Sequence, residues 1–219
     1  MPKLPPALAK ASLEEERMPA EEHAQRRRRE ILASVTDVFA KRGYQGATID
    51  HLVAGGKTSM GGFYKLFDGK EDCFVQAFDQ VVDEATVDAP RPGDAQADWG
   101  ARVSACLLAL LEFAAAKPFS ARLVLLEAQS GGPEAVRRYN ELLGEAAAGL
   151  RAGRSESSAT PDLPASFEDA TVSGIVWLMQ NRLARGTAID VDELHPQLTK
   201  MVLEPYLGRK ALTKAMRRR

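Results

Sequence analysis

The stretch GGKTSMGGFYKLF, residues 55–67, contains side chains that could do chemistry in two different ways. Gly56, Lys57 and Thr58 are the last letters of a phosphate-binding P-loop, which would make the chain a nucleotide-binding enzyme. A P-loop also needs a glycine five positions before Gly56, in a loop that follows a buried strand. That position is His51, and the segment around it has helical spacing. We therefore keep a nucleotide-binding enzyme only as an alternative.

The other side chains that could catalyse a reaction or bind a metal are scattered. Cys73 and Cys106 have neither close spacing nor a group of histidines around them. No pair among His23, His51 and His195 has the spacing of metal ligands. We predict that the chain is not an enzyme, has no metal site and no cofactor, and works in a reducing cytoplasm.

Charge is distributed unevenly along the 219 residues. Residues 22–70 carry nine Lys or Arg and five Asp or Glu, a balance of +4, whereas residues 71–207 carry eleven and twenty-one, a balance of −10. The last twelve residues, 208–219, carry six basic residues and no acidic one. This asymmetry indicates a polyanionic partner that only one part of the chain contacts. No apolar run approaches the ~20 residues needed to cross a bilayer, so we predict no membrane partner.

Apolar residues recur at helical spacing nearly everywhere, which predicts an all-α protein of about nine helices. A first helix is predicted to end near Gly43, and Asp68 is predicted to cap a fourth. Between them, Thr48 and Ser59 can cap two short helices. These short helices would cover residues 48–55 and 59–65.

The rest of the chain is predicted to form a larger helical bundle. The sequence DAPRPGD, residues 88–94, would separate it from the first unit, and a long helix would run from about Ala95 to Ala116. Pro133 suits the first position of a helix that follows a glycine turn. Residues 153–165 read as a polar linker or mobile loop. The last two helices would cover residues 167–185 and 191–204.

Two short helices joined by a tight turn have the size of a helix-turn-helix, whose second helix enters the DNA major groove. Gly61 and Gly62 each disfavour a helix by roughly 1 kcal/mol relative to alanine. A helix that lies close against DNA can use them, since no side chain holds its backbone away. Tyr64 and Lys65 would supply a hydroxyl and a positive charge to phosphates. The side chains that would anchor this helix to its own core are Phe63 and Phe67.

The sequence of this unit resembles the N-terminal domain of TetR-type transcriptional regulators. The resemblance is carried by FAKRGY (residues 39–44), TIDHL (48–52), SMGGFYKLF (59–67) and GKE (69–71). It runs without gaps over about 45 residues, in the order and spacing of the family pattern. Two departures concern DNA contact: Lys57 stands where a glycine often takes a left-handed conformation, and Gly62 replaces the commoner Thr or Ser, a frequent phosphate or base contact.

The resemblance implies DNA contacts for specific residues of this chain. The lysine that matches Lys70 binds phosphate in the family, and Arg27 belongs to an arginine run that is either a phosphate contact or a solvated helix start. The predicted DNA-binding residues are Arg27, Thr48, Ser59, Met60, Gly61, Gly62, Tyr64, Lys65 and Lys70. They lie in the predicted DNA-binding domain, residues 22–70, which follows a flexible tail of residues 1–21.

Beyond residue 95 a weaker resemblance implies a ligand-binding and dimerisation domain, residues 71–207, followed by a basic tail, residues 208–219. Trp99, Pro118 and the sequence VLEPYLG (residues 202–208) resemble one subgroup of TetR-type C-terminal domains. Residues that could line a ligand cavity are Phe113, Leu126, Tyr139, Trp177, Met179 and Gln180.

The resulting prediction is a homodimeric repressor that pairs through its last two helices. A small-molecule effector would release it from a palindromic operator in double-stranded DNA. The alternatives are a constitutive DNA-binding protein without an effector and the nucleotide-binding enzyme.

Overall fold

A computed structural model describes residues 20–87, 98–156 and 163–208 of the chain, and every described element is helical. The first four helices are α1 (Ala20–Gly46), α2 (Ile49–Gly55), α3 (Met60–Tyr64) and α4 (Lys70–Thr86). The remainder comprises α5 (Trp99–Ala116), α6 (Pro118–Arg122), a π turn (Leu123–Glu127), a 3-10 turn (Ala128–Ser130), α7 (Pro133–Arg151), α8 (Gly153–Glu156), α9 (Phe167–Ala184) and α10 (Val191–Leu207). The predicted all-α fold is confirmed.

The first four helices have the predicted order, and local signals explain most of their ends. Gly43 leaves the helical conformation inside α1, with φ 71° and ψ 158°, close to where the first helix was predicted to end. Asp68 does not cap α4, which was predicted: the cap position is Gly69, without a side-chain bond. Instead, the backbone N–H of Asp68 donates to the Asp72 carboxylate at 2.9 Å. This is the reverse of a cap, because the carboxylate belongs to the helix and not to the residue before it.

One hydrophobic core joins the first helices to the rest of the chain. The ring of Phe74, on α4, lies 5.1 Å from that of Phe39 and 5.2 Å from that of Tyr44, both edge-on. Phe39 and Phe74 are fully buried. The predicted boundary at residue 70 therefore falls at the first turn of a helix that both parts share.

α5 is long and apolar enough to cross a membrane by length and composition. Among the described residues, no other helix meets these two criteria. A core helix of a globular protein passes the same test. α5 packs along α10 and also contacts α4 and α6. Its residues Leu107 and Leu111 are buried in the shared core.

The prediction of a polar linker or mobile loop at residues 153–165 is wrong for its first part, because residues 153–156 form the short helix α8. Arg154 on α8 makes two bonds to the Glu168 carboxylate at the start of α9, at 2.7 and 2.8 Å. The Tyr206 hydroxyl, from α10, donates to the same carboxylate at 2.8 Å. Arg154 also donates to the carbonyls of Leu163 and Pro164. These bonds hold α8 against α9 and α10.

The carboxylate of Glu168 is completely buried. The hydrogen bonds from Arg154 are the main reason that the pKa of Glu168 falls to about 2, and the Tyr206 hydroxyl adds to them against the cost of burial. Burial, together with the bond to Glu168, raises the pKa of the Tyr206 hydroxyl. The carboxylate therefore stays ionised and paired at neutral pH.

Several predicted segments lie outside the described residues. They are nearly all of the predicted tails, residues 1–21 and 208–219, the break at residues 88–94, and the predicted start of the long helix at Ala95. Within the described part, this helix begins at Trp99 and is capped by Asp98, whose carboxylate accepts from the Ala101 N–H at 2.7 Å. Pro133 occupies the first position of α7, which was predicted.

Candidate nucleic-acid interface

The two short helices α2 and α3 begin at the two predicted caps. The Thr48 hydroxyl accepts from the N–H of His51 at 3.3 Å, and the His51 ring accepts from the N–H of Thr48 in return. The Ser59 hydroxyl accepts from the N–H of Gly62 at 3.0 Å. Both hydroxyls thus satisfy backbone donors that a helix start would otherwise leave free. The caps fix where each helix starts and therefore which side chains α3 exposes.

The turn between α2 and α3 is held by backbone bonds and by an arginine from α1. The N–H of Gly56 donates to Leu52 at 2.8 Å, and that of Thr58 donates to Val53 at 3.1 Å. Lys57 takes a left-handed conformation, with φ 48°, as the departure from the family pattern suggested. The guanidinium of Arg27 donates to the Lys57 carbonyl at 2.9 Å. Arg27 therefore braces the turn, and it reaches the unit from the start of α1.

One side of α3 is anchored and the other is open. Phe63 and Phe67 are completely or almost completely buried, with ring centroids 5.1 Å apart. On the opposite side, Tyr64 is 54% exposed and Met60 43% exposed, although both are large and apolar in part. Lys65 is also exposed. A short helix that is held by buried Phe63, with buried Phe67 just after its end, and that exposes two large side chains is suited to contact another molecule.

The two glycines of α3 have different surroundings. Among the described residues, and apart from its chain neighbours and the backbone of α3, no atom lies within 4 Å of the place where a Cβ of Gly61 would be, so packing against them does not require a glycine there. A Cβ on Gly62 would lie 2.5 Å from the Thr58 hydroxyl oxygen. Gly61 thus leaves free space on the outer side of α3, where a close-fitting partner could approach the backbone.

Lys70 lies at the start of α4, and its ammonium group is turned toward the end of α1. Its Nζ donates to the carbonyls of Tyr44 and Ala47 at 3.0 and 3.1 Å and lies 4.3 Å from the centre of the Tyr44 ring. Two of its three N–H donors are therefore used within the chain. Lys70 as a whole is partly exposed, and its ammonium group lies beside the cap of α2, so a phosphate there could still use its charge.

The six residues predicted to line a ligand cavity do not all come together. Tyr139 and Met179 are buried, and Phe113 and Leu126 pack against the same core. In a different role, the amide nitrogen of Gln180 donates to the Leu125 carbonyl in the π turn at 2.7 Å. Trp177 is not part of this group.

Trp177 is 64% exposed on the outer side of α9, so its side chain does not line a cavity inside one chain. Apolar residues do recur at helical spacing along α9. The spacing alone, however, did not tell whether Trp177 faces the core or the outside.

The sequence did not reveal the polar contacts that join the DNA-binding unit, α1–α4, to the body of the chain, α5–α10 with the π and 3-10 turns. The Glu127 carboxylate, at the end of the π turn, accepts from the backbone N–H of Tyr44 at 2.8 Å. Arg122 donates to the carbonyls of Ala40 on α1 and Leu183 on α9, at 3.4 and 2.6 Å. The partners are separated by 61 to 83 positions, so no local signal could have found them.

In the described residues no group of three or more His, Cys, Asp or Glu is placed to hold a metal ion. Both cysteines are free thiols. Burial raises the pKa of the Cys73 thiol to about 12, so this thiol is not a nucleophile at neutral pH.

Residues 31–77 match the family model for bacterial regulatory proteins of the tetR family. This range contains α2, α3 and their caps, together with most of α1 and the first half of α4. No curated protein matches the sequence.

Solved structures show the same fold at low identity. The fatty acid degradation regulator FadR from Bacillus halodurans is 17% identical with a TM-score of 0.66, over 80% of this chain and 96% of that one. A transcriptional regulator FadR from Bacillus subtilis, in complex with stearoyl-CoA, is 16% identical with a TM-score of 0.66, over 82% and 98%. A TetR family transcription regulator from Marinobacter aquaeolei is 14% identical with a TM-score of 0.68, over 86% and 100%.

The matched range and the shared fold agree with the resemblance seen in the sequence. They also confirm the prediction that the chain is not an enzyme, because regulators of this family act by binding DNA. The chain is therefore similar to the TetR family of DNA-binding transcriptional regulators in the sequence of residues 31–77 and in its overall fold.

Proposed function

We propose that this regulator is a cytoplasmic homodimeric repressor that binds a palindromic operator through α3 and leaves it when a small apolar effector binds. The observation that carries the proposal is the exposed side of α3, where Met60, Gly61, Tyr64 and Lys65 lie outside while Phe63 is buried. A reading helix needs this arrangement, because its inner face must be fixed before its outer face can select bases.

The exposed residues of α3 suit different parts of a DNA duplex. The Tyr64 hydroxyl and the Lys65 ammonium can donate to phosphate oxygens, which set the position of a protein on DNA. Met60 is an apolar side chain in the first turn of α3, the part of a recognition helix that contacts base edges. Its natural partner there is the methyl group of thymine. Gly61 allows the backbone to come close.

The outer face of α9 supports a homodimer. Ala170, Ser173, Gly174 and Trp177 are all exposed, and they follow one another at helical spacing. In the part of the chain that the structure describes, no atom outside the chain neighbours of Gly174 and the backbone of α9 lies within 4 Å of the place of a Gly174 Cβ. Small residues beside one large exposed aromatic would let a second copy of the helix approach closely while Trp177 becomes buried.

On α10, the other helix predicted to pair, Met201 is 47% exposed and is a second large apolar side chain that a dimer could bury. A two-fold axis through these helices would place two α3 helices on two half-sites of a palindrome. The half-sites would be separated by about one turn of DNA, or 34–36 Å.

The effector would act through the contacts between body and DNA-binding unit. Gln180 on α9 binds the π turn, and the π turn binds α1 through Glu127. A ligand that separates α9 from the π turn would therefore disturb the end of α1. Such a ligand shifts the population only as far as it prefers the conformation that fits DNA poorly. Long-chain acyl thioesters are the first class to test, because a structural neighbour was solved with stearoyl-CoA.

The proposal is tested by selecting a DNA site with the purified chain from randomised duplexes and then measuring affinity by gel shift. We expect Tyr64→Ala and Lys65→Ala each to weaken binding roughly tenfold, about 1.4 kcal/mol, without changing the dimer mass in light scattering. Lys117→Ala removes one positive charge from the body and is the matched control, with an expected change below about twofold.

Two results would contradict the proposal. Full affinity in both α3 variants would exclude α3 as the reading helix. A monomeric mass at the concentration used for DNA binding would exclude the two-half-site arrangement. If no ligand releases the DNA, the chain is a constitutive DNA-binding protein, the alternative without an effector.

A further inference from the structure

The Thr58 hydroxyl, in the turn just before α3, lies next to the place where a side chain of Gly62 would begin. A Cβ on Gly62 would lie 2.5 Å from the Thr58 hydroxyl oxygen and 3.2 Å from the Ser59 hydroxyl oxygen. Real Cβ atoms essentially never come as close to another atom as the first of these distances. A side chain at position 62 would therefore require the Thr58 hydroxyl to move from the place that it occupies.

The Thr58 hydroxyl differs from the other hydroxyls at the starts of α2 and α3. The oxygen of Thr48 accepts from the His51 N–H, and that of Ser59 accepts from the Gly62 N–H. Among the described residues, the Thr58 hydroxyl has no hydrogen-bond partner. Thr58 is half-exposed, so this hydroxyl is available to a molecule outside the chain.

The position of Thr58 brings its hydroxyl to the edge of the exposed side of α3. Its backbone N–H is bound to the Val53 carbonyl at 3.1 Å, so the residue is fixed in the turn. Its side chain lies against the first turn of α3, beside Gly62. The residues at the start of a recognition helix are those nearest to DNA. Threonine hydroxyls commonly bind phosphate oxygens.

We propose that Thr58 is a DNA-contacting residue whose hydroxyl binds a backbone phosphate, a contact made possible by the absence of a side chain at Gly62. This rests on the proposed docking of α3 in the major groove. The hydroxyl that the family pattern usually places at position 62 is in this chain moved four residues earlier. The contact positions the reading helix and carries no base preference of its own.

The test uses variants that remove the hydroxyl or return it to position 62. Thr58→Val keeps the shape of the side chain and loses the hydroxyl, whereas Thr58→Ser keeps the hydroxyl. Thr58→Ala/Gly62→Thr moves the hydroxyl back: a Cβ at position 62 lies an ordinary 3.9 Å from the Thr58 Cβ that alanine retains, and the Ser59 hydroxyl, at 3.2 Å, has to shift by a few tenths of an ångström. Thr86→Val, at the end of α4, is the control for a hydroxyl lost elsewhere.

Affinity is measured by fluorescence anisotropy on the duplex selected by the wild-type chain and on a random duplex, with the thermal midpoint measured for every variant. We expect Thr58→Val to bind both duplexes about five- to twentyfold more weakly, by the same factor. Thr58→Ser and Thr86→Val should stay within about threefold of wild type. Thr58→Ala should be weak, and adding Gly62→Thr to it should recover most of the loss.

Each contrary outcome is distinguishable. Wild-type affinity in Thr58→Val, with an unchanged thermal midpoint, overturns the inference alone. A loss on the selected duplex only overturns the phosphate contact, because it would indicate base readout. Failure of the wild-type chain to select any sequence overturns the proposed function, and the inference with it.

Discussion

The buried carboxylate of Glu168 gives a prediction whose magnitude follows from the structure. Replacing it by glutamine keeps its size but removes the charge that Arg154 and Tyr206 contact, at 2.7 to 2.8 Å. Arg154 would then keep a positive charge with no anion in contact, and its side chain is only 30% exposed. Removing one partner of a buried ion pair is generally destabilising, because the other charge is left without compensation.

The expected loss can be worked from the pKa of Glu168. An unfolded glutamate titrates near pH 4.3, and in the folded chain the pKa of Glu168 is about 2. At about 1.36 kcal/mol per pKa unit, this corresponds to about 3 kcal/mol at neutral pH. Solvent around the exposed part of Arg154 screens the ion pair. We therefore expect Glu168→Gln to lower the free energy of unfolding by about 2–3 kcal/mol.

The direction of the pH dependence follows from the sign of this shift. Because folding lowers the pKa of Glu168, the carboxylate makes its full contribution to the free energy of unfolding above pH ~5. This contribution is lost as the pH falls from there toward 2. At pH 3 roughly half of it should remain, since the folded carboxyl is still ionised while the unfolded one is protonated. The difference between wild type and Glu168→Gln should therefore narrow on acidification.

The assay is urea denaturation at one fixed protein concentration, because the stability of the proposed dimer would depend on concentration. Asp169→Asn is the matched control, because Asp169 is the neighbouring acid, is 60% exposed and lies 3.4 Å from Arg151. Its loss should be below about 1 kcal/mol. A loss below 1 kcal/mol in Glu168→Gln, or a loss that does not change between pH 7 and 3, would refute the reasoning.

Three further substitutions test other parts of the fold by the same denaturation assay. Lys57→Gly should raise the free energy of unfolding by about 0.5–1 kcal/mol, since Lys57 has φ 48°; a lower urea midpoint would speak against backbone strain there. Gly131→Ala should cost about 1–3 kcal/mol, because its Cβ would lie 2.6 Å from the Phe74 ring; an unchanged midpoint would show that the ring moves easily. Glu127→Ala should cost about 1–3 kcal/mol by leaving the Tyr44 N–H without its acceptor, and a neutral effect would mean that water replaces the carboxylate.

The sequence predicted those features of the DNA-binding unit that depend on neighbouring residues. Thr48 and Ser59 cap helices because a hydroxyl three residues before an N–H can reach it in any context. The left-handed conformation at Lys57 follows from the tight turn that must reverse the chain. The buried positions of Phe63 and Phe67 follow from helical spacing next to exposed polar residues.

Features that depend on distant residues were not predictable in this way. Arg154 was assigned to a loop because its surroundings are polar and contain proline, yet the buried carboxylate of Glu168, fourteen residues away, fixes it in a helix. Trp177 was assigned to a cavity because it is apolar and regularly spaced, but the side of α9 that faces inward is set by what α9 packs against. The π turn at Leu123–Glu127 has no recognised sequence signal here and appears only in the folded chain.

The shared helix α4 has a consequence for engineering regulators with new DNA targets. Phe74 on α4 packs against Phe39 and Tyr44, and Lys70 on α4 binds the end of α1. α4 therefore supports the three helices before it, α1–α3. A hybrid regulator joined at residue 70 would place the DNA-binding helices of one protein on an α4 whose side chains fit those of another. Transplanting α1–α4 as one piece, through Thr86, would keep Phe39, Tyr44 and Phe74 together and move the mismatch to the contacts between these helices and the rest of the chain.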